Sequence, residues 1–160
     1  MHLKRDCGVV HAFVFERKAG QPWVETLIEK SMQHKFFSWN CIVFYRKNKK
    51  GLAEQPVTPE EVLQNMEELE SRDKAIHVLS HLLHSDMAYD AELMQPEEAE
   101  ILATAFIAFF GDDCRYYSNS SWEEGTGLRT WSDFTDATFD SGVIAVDTKQ
   151  IGIAWFEDED

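Results

Sequence analysis

The sequence contains few of the residues that mark unusual protein classes. Four prolines, eight glycines and three cysteines occur in 160 residues, whereas 44% of the residues are hydrophobic and 12% are aromatic. Disordered and collagen-like chains have much more proline and glycine, so this composition indicates a folded protein. Cys7, Cys41 and Cys114 lie far apart and form no C-x-x-C motif, which is typical of a reducing compartment and predicts a cytoplasmic location.

Long hydrophobic runs are absent as well. The longest apolar stretch beyond the N-terminal region, Ile101–Phe110, has ten residues, whereas a membrane-spanning helix needs about 20. The run Gly8–Phe15 is too short for a secretory signal and lacks its small-residue cleavage site. We therefore expect no membrane anchor, and the length of the chain predicts a single domain over residues 1–160.

Positive charge is scarce and unevenly placed. The chain has 15 Lys and Arg against 29 Asp and Glu, a net charge of −14. Residues 1–51 have ten basic and four acidic side chains, net +6, whereas residues 52–160 have five basic and 25 acidic ones, net −20. A nucleic-acid-binding surface needs a basic footprint, so no direct binding of nucleic acid is expected. The charge changes sign near residues 47–57, where a subdomain joint would fall.

The residue patterns predict an α+β fold. The segments Gly8–Glu16 and Asn40–Arg46 predict strands on either side of a helix that begins near Pro22. Three further helices are predicted: one from Thr58 with a capping box and with Val62, Leu63, Met66 and Leu69 buried, one from Ser71 to about Ser85, and one from Pro96 to Gly111.

The last of these helices is apolar on nearly every side, which predicts that it lies at the centre of the core. Ser118–Gly127 predicts a polar loop. Ser141–Val146 and Gln150–Phe156 predict a hairpin that is covered on both faces. The expected architecture is a mixed, mainly antiparallel sheet from the N- and C-terminal parts, packed on a central block of about three helices.

Two patterns are reminiscent of metal-dependent enzymes. His77, His81 and His84 lie on one helix face, but three ligands on one straight helix span about 10 Å, too far to converge on one ion. Asp140, followed by Asp147-Thr148-Lys149, matches a nuclease-type D-x-K pattern, but the second segment is also needed as the hairpin turn. No complete catalytic motif occurs, so we expect neither an enzyme nor a cofactor or metal.

The acidic residues of the C-terminal part occur beside aromatic residues. An aromatic contact flanked by carboxylates is suited to a basic protein partner, because the aromatic ring supplies desolvated area and the carboxylates attract Lys and Arg. The predicted partner-binding residues are Trp122, Glu123, Glu124, Trp131, Asp133, Asp136, Asp140, Glu157, Asp158, Glu159 and Asp160.

The segments from Trp131 to Val146 and from Ile151 to Asp160 resemble the ends of small acidic immunity proteins from bacterial toxin systems. That resemblance implies a cytoplasmic protein without catalytic residues that binds and neutralises a cognate basic toxin or nuclease. Two alternatives remain: a phage-type DNA mimic that inhibits a nucleic-acid-binding protein, and a metal-dependent hydrolase or nuclease. The basic N-terminal third differs from what a uniformly acidic inhibitor would have. It could contact another copy of this protein, so a homodimer remains a further possibility.

Overall fold

A computed structural model describes residues 3–34, 45–47, 54–56, 58–123, 127–131, 134–135 and 137–159. For residues 32, 34, 45–47, 54–56, 121–123 and 127–131 it describes the backbone only. The helices are α1 (Trp23–His34), α2 (Pro59–Gln64), α3 (Arg72–His84) and α4 (Pro96–Ile107). The strands are β1 (Val9–Glu16), β2 (Tyr45–Lys47), β3 (Glu54–Pro56), β4 (Glu67–Leu69), β5 (Arg115–Ser118), β6 (Ser120–Glu123), β7 (Gly127–Trp131), β8 (Phe139–Val146) and β9 (Gln150–Asp158).

The central feature is a five-stranded antiparallel sheet in the order β1-β9-β8-β5-β4. The first strand pairs with the last, from Val9 opposite Glu157 to Glu16 opposite Gln150. β8 and β9 form the predicted hairpin and occupy the middle of the sheet. The prediction of a mainly antiparallel sheet built from both ends of the chain is therefore confirmed.

Both faces of this sheet are covered, as predicted for the hairpin. Side chains alternate along a strand, so Ile153 and Trp155 of β9 point to one side and Ala154 and Phe156 to the other. The first side packs with residues of α1 and α2, including Leu27 and Val62. The second side packs with α3 and α4, among them Leu79, Leu82, Leu83, Ala99, Ala103, Phe106 and Ile107. The result is a sheet between two helical layers.

The starts of α2 and α3 agree with the predicted caps. The Thr58 hydroxyl accepts a hydrogen bond from the backbone N–H of Glu61 (3.2 Å), and the Glu61 carboxylate accepts one from the N–H of Thr58 (3.1 Å). At the start of α3, the Ser71 hydroxyl accepts a single capping hydrogen bond from the backbone N–H of Lys74 at 3.1 Å. The predicted extent of α2 was wrong, because it ends at Gln64 and Leu69 belongs to β4.

Two other predictions need correction. The segment Ser118–Gly127, expected to be a polar loop, contains β6, which pairs with β7 in a separate two-stranded ladder. The predicted buried stripe of α2 included Leu63, which is 44% exposed. Of the strand predicted at residues 40–46, the structure describes only Tyr45 and Arg46, which belong to β2; residues 40–44 lie outside the described part.

The prediction that α4 lies at the centre of the core was wrong. One face of the helix is buried, but Ile101 is 68% exposed and Phe109, just beyond the helix, is 54% exposed. The physical reason is the position of the helix: α4 packs mainly on α3, which itself packs on the sheet. Within the described residues, no helix has the length and hydrophobicity needed to cross a bilayer.

Candidate functional site

Most of the predicted partner-binding side chains lie outside the described part of the chain. Glu124, Asp133, Asp136 and Asp160 are not described at all. The backbone positions of Trp122 and Glu123 in β6 and of Trp131 in β7 are described, without their side chains. Glu159 is exposed, and the Thr138 hydroxyl donates a hydrogen bond to its carboxylate at 2.6 Å. Glu157 is 19% exposed and lies 3.5 Å from His11 Nε2.

Asp140 is fully buried, which corrects its predicted place on a binding surface. Its Oδ1 accepts a hydrogen bond from the Asn119 side-chain amide at 3.0 Å. Its Oδ2 accepts bonds from the backbone N–H of Phe134 (3.0 Å) and Thr135 (2.7 Å) and from the Thr135 hydroxyl (2.9 Å). A buried carboxylate needs such donors, and here they fasten residues 134–135 to the beginning of β8. The role of Asp140 is therefore structural.

Asp158 is also buried and requires the same correction. Its carboxylate forms an ion pair with the Arg5 guanidinium and accepts a hydrogen bond from the backbone N–H of Met87 at 2.9 Å. Arg5 Nη1 donates to the backbone carbonyl of Leu82 at 2.9 Å, and its guanidinium carbon lies 5.1 Å from the ring centre of Phe156. This arginine joins the N-terminal segment to β9 and to the end of α3, and it neutralises Asp158.

The turn between β8 and β9 explains the Asp147-Thr148-Lys149 motif. Asp147 Oδ1 accepts hydrogen bonds from the backbone N–H of Lys149 and Gln150, both at 2.8 Å, and Oδ2 accepts one from Gly111 at 3.0 Å. Burial raises the pKa of Asp147, but these N–H donors outweigh it and hold the pKa below the usual value. The segment is the predicted hairpin turn, and Lys149 is exposed.

The three predicted metal-binding histidines differ in their environment. His77 is exposed, whereas His81 and His84 are half-buried. His84 Nδ1 lies 2.7 Å from the backbone carbonyl of Met94 and so holds the connection between α3 and α4. Burial lowers the pKa of His81, and the neighbouring histidines lower it further, against the opposing effect of Asp90. The described residues include no group of three or more His, Cys, Asp or Glu side chains placed to hold a metal ion.

A continuous part of the chain, residues 75–114, contains no Lys or Arg but eight acidic residues. It comprises most of α3, the connection to α4, α4 itself and the turn that follows. The acidic residues are Asp86, Asp90, Glu92, Glu97, Glu98, Glu100, Asp112 and Asp113. All except the half-buried Asp86 are exposed. We call these eight side chains the acidic surface.

None of the ion pairs of Lys and Arg in the described part of the chain involves the acidic surface. The described ion pairs of Lys and Arg lie elsewhere: Lys18 with Glu29 at 2.5 Å, Arg115 with Glu68 at 2.6 Å, and Arg5 with Asp158. The bond from Arg115 lowers the pKa of Glu68, as expected for a paired carboxylate. Lys4 and Arg5 line one cleft together with Glu92 and Glu98, so basic side chains of the N-terminal segment lie beside one end of the acidic surface.

Two of the predicted partner-binding acids, Asp140 and Asp158, are buried by the fold. The exposed acids around α4 were not among the predicted residues. The signal that would have found them is the absence of Lys and Arg over residues 75–114. Comparison of the chain with protein-family models, with curated proteins and with solved structures gave no match.

Proposed function

We propose that this protein is a cytoplasmic immunity or inhibitor protein of the bacterial toxin-system type, which binds and neutralises a basic toxin or nuclease domain. The observation that carries the proposal is the acidic surface: eight carboxylates, and no Lys or Arg, over residues 75–114. Seven of the eight side chains are exposed. A partner with a basic active-site groove would find an opposite charge here.

The physical basis is long-range attraction. Exposed charges act over about 10 Å at 0.1 M salt, and several charges of one sign on one side of a protein increase the rate of encounter with an oppositely charged partner by about 10- to 1,000-fold. An inhibitor of a toxic enzyme benefits from fast association, because each free toxin molecule does damage until it is bound. Charge of this kind favours a rapid, salt-sensitive binding protein.

The hydrolase alternative receives less support from the same structure. It would use as metal ligands either the histidines of α3 or Asp140 and Asp147. His84 Nδ1 is already within 2.7 Å of the backbone carbonyl of Met94, and the oxygens of both carboxylates already accept several hydrogen bonds. A metal ion at either position would displace donors that hold the backbone in place. We therefore retain binding, not catalysis, as the proposed activity.

The experiment measures association between this protein and the basic toxin or nuclease domains encoded in the same genome, beginning with the product of the adjacent gene. Association rates at 50 mM and 500 mM salt are compared by stopped flow or biolayer interferometry. We expect a complex that inhibits the partner's activity and forms about tenfold more slowly at the higher salt. A tight complex whose association rate is the same at both salt concentrations would contradict the proposal, as would the absence of any inhibitory complex.

A matched pair of variants assigns the effect to the acidic surface. One variant replaces Glu97, Glu98 and Glu100 by Gln and Asp112 by Asn. The control variant replaces four exposed acids elsewhere, Glu16, Glu60, Glu67 and Glu70, by Gln. Both changes reduce the net charge by the same amount, so only the position differs. We expect the first variant to associate about tenfold more slowly at low salt and the control to change less than twofold; equal slowing would mean that net charge alone acts.

A further inference from the structure

The outer face of α4 carries an exposed apolar stripe. Ile101 is 68% exposed and Phe109 is 54% exposed, and Thr104, Ala105 and Ala108 between them are also exposed. Positions 101, 104, 105 and 108 follow the spacing of one helix face, so these side chains form one stripe and not scattered contacts. The opposite face of the helix supplies Ala99, Ala103, Phe106 and Ile107 to the core.

Acidic side chains border this stripe at both ends. Glu97, Glu98 and Glu100 lie in the first turns of α4, and Asp112 and Asp113 follow the helix. The helix has 12 residues, so the two acidic groups are separated by roughly 20 Å along its axis. An apolar centre with a charged border is the arrangement of many protein–protein interfaces.

We propose that the stripe of Ile101, Ala105, Ala108 and Phe109 is the centre of the binding surface, and that it receives a basic protein with an apolar ridge between two groups of Lys or Arg. This inference rests on the proposed function and specifies where the partner binds. Charge complementarity favours a basic partner, because none of the described ion pairs of Lys and Arg involves the carboxylates that border the stripe. The apolar centre supplies desolvated area, and the carboxylates select the orientation.

A second copy of this chain fits the stripe less well. A two-fold contact between two α4 helices would place carboxylates of one copy against carboxylates of the other, with no basic side chain of residues 75–114 to separate them. Such like-charge contacts oppose association. Contact with the basic N-terminal third of another copy would be head-to-tail and would show as self-association in solution.

The test uses two synthetic peptides as probes, so that it does not depend on finding the natural partner. One is a 14-residue amphipathic helix of Leu and Lys, and the other has the same number of lysines with Ser in place of Leu. Binding is measured by titration calorimetry, and the contacted residues are identified from backbone amide shifts in nuclear magnetic resonance spectra. We expect the Leu/Lys peptide to bind at least tenfold more tightly than the Ser/Lys peptide and to shift the amides of α4.

Two double variants with unchanged charge make the test specific. Ile101→Gln with Phe109→Gln removes the stripe, whereas Leu63→Gln with Val14→Gln changes two side chains that are also exposed, on α2 and β1. The first variant is expected to bind the Leu/Lys peptide about tenfold more weakly than the unchanged protein, and the control variant less than twofold more weakly. The circular dichroism spectrum should be unchanged in both variants. Equal affinity for both peptides, or equal binding by both variants, would overturn the inference.

The remaining outcomes separate this inference from the proposed function. A basic domain that binds with strong salt dependence but is unaffected by the Ile101 and Phe109 changes would leave the function standing and overturn this location. Sedimentation that shows self-association lost in the same variant would assign the stripe to a second copy. Peptide binding at α4 without any inhibited basic domain would count against the function alone.

Discussion

Replacement of Asp140 by Ala is expected to destabilise the protein strongly, although sequence reasoning placed this residue at a binding surface. The carboxylate is 0% exposed and accepts bonds from the backbone N–H of Phe134 and Thr135 and from the Asn119 amide. Its loss leaves the two backbone N–H groups buried without this acceptor, at about 1–3 kcal/mol each, whereas the Asn119 amide keeps its bond to the backbone carbonyl of residue 140. Allowing for relaxation and water entry, we expect the free energy of unfolding to fall by about 3–5 kcal/mol.

The assay is urea denaturation followed by fluorescence, together with a thermal scan. For a chain of this size, each kcal/mol lost from the free energy of unfolding lowers the melting temperature by about 2–4 °C, so the thermal midpoint should fall by about 10 °C. Phe134 stacks on Trp155 with ring centres 4.9 Å apart, so the near-ultraviolet circular dichroism should change as well. Glu100→Ala is the control, since this exposed side chain should contribute less than about 0.5 kcal/mol. A loss below about 1 kcal/mol for Asp140→Ala would refute the structural role assigned to this carboxylate.

The other predictions concern packing and pH. Gly152→Ala should lower the free energy of unfolding, measured by urea denaturation, by about 1–3 kcal/mol, because a Cβ there would overlap the ring of Phe110. If the further substitution Phe110→Leu restores none of this stability, the overlap is not the cause. Burial lowers the pKa of His81 below 6.5, so the unfolded chain takes up a proton before the folded protein does, and stability should decline as the pH falls below about 6.5. His81→Asn should flatten this decline in denaturation curves between pH 7 and pH 5, whereas His77→Asn, at an exposed position, should change it less; an unchanged slope in His81→Asn would contradict the assignment.

Features set by neighbouring residues could be predicted from the sequence. The capping box at Thr58 and the cap at Ser71 depend on residues three positions apart. The β8–β9 hairpin likewise depends on two apolar segments and the short turn at Asp147. These local patterns form the same local structures in the folded protein. The class of fold and the central hairpin could therefore be predicted from them.

Features set by distant contacts could not be predicted in this way. Asp158 is buried because Arg5 reaches it from 153 residues away in the chain. Ile101 is exposed because α4 packs on α3 and leaves its outer face uncovered, and an apolar helix sequence does not show which face will be covered. By contrast, the lack of Lys and Arg over residues 75–114 can be read from the sequence, and only the exposure of the acids there depends on the fold.

The pairing of β1 with β9 has a consequence for the synthesis of this protein. β1 has no sheet to join until β9 has left the ribosome, because β9 lies between β1 and β8. At roughly 5–20 residues per second, translation needs on the order of ten seconds to proceed from one strand to the other. During that time the valines and phenylalanines of β1 lack the strand with which they pair in the described sheet, which leaves an extended apolar segment open to binding by chaperones.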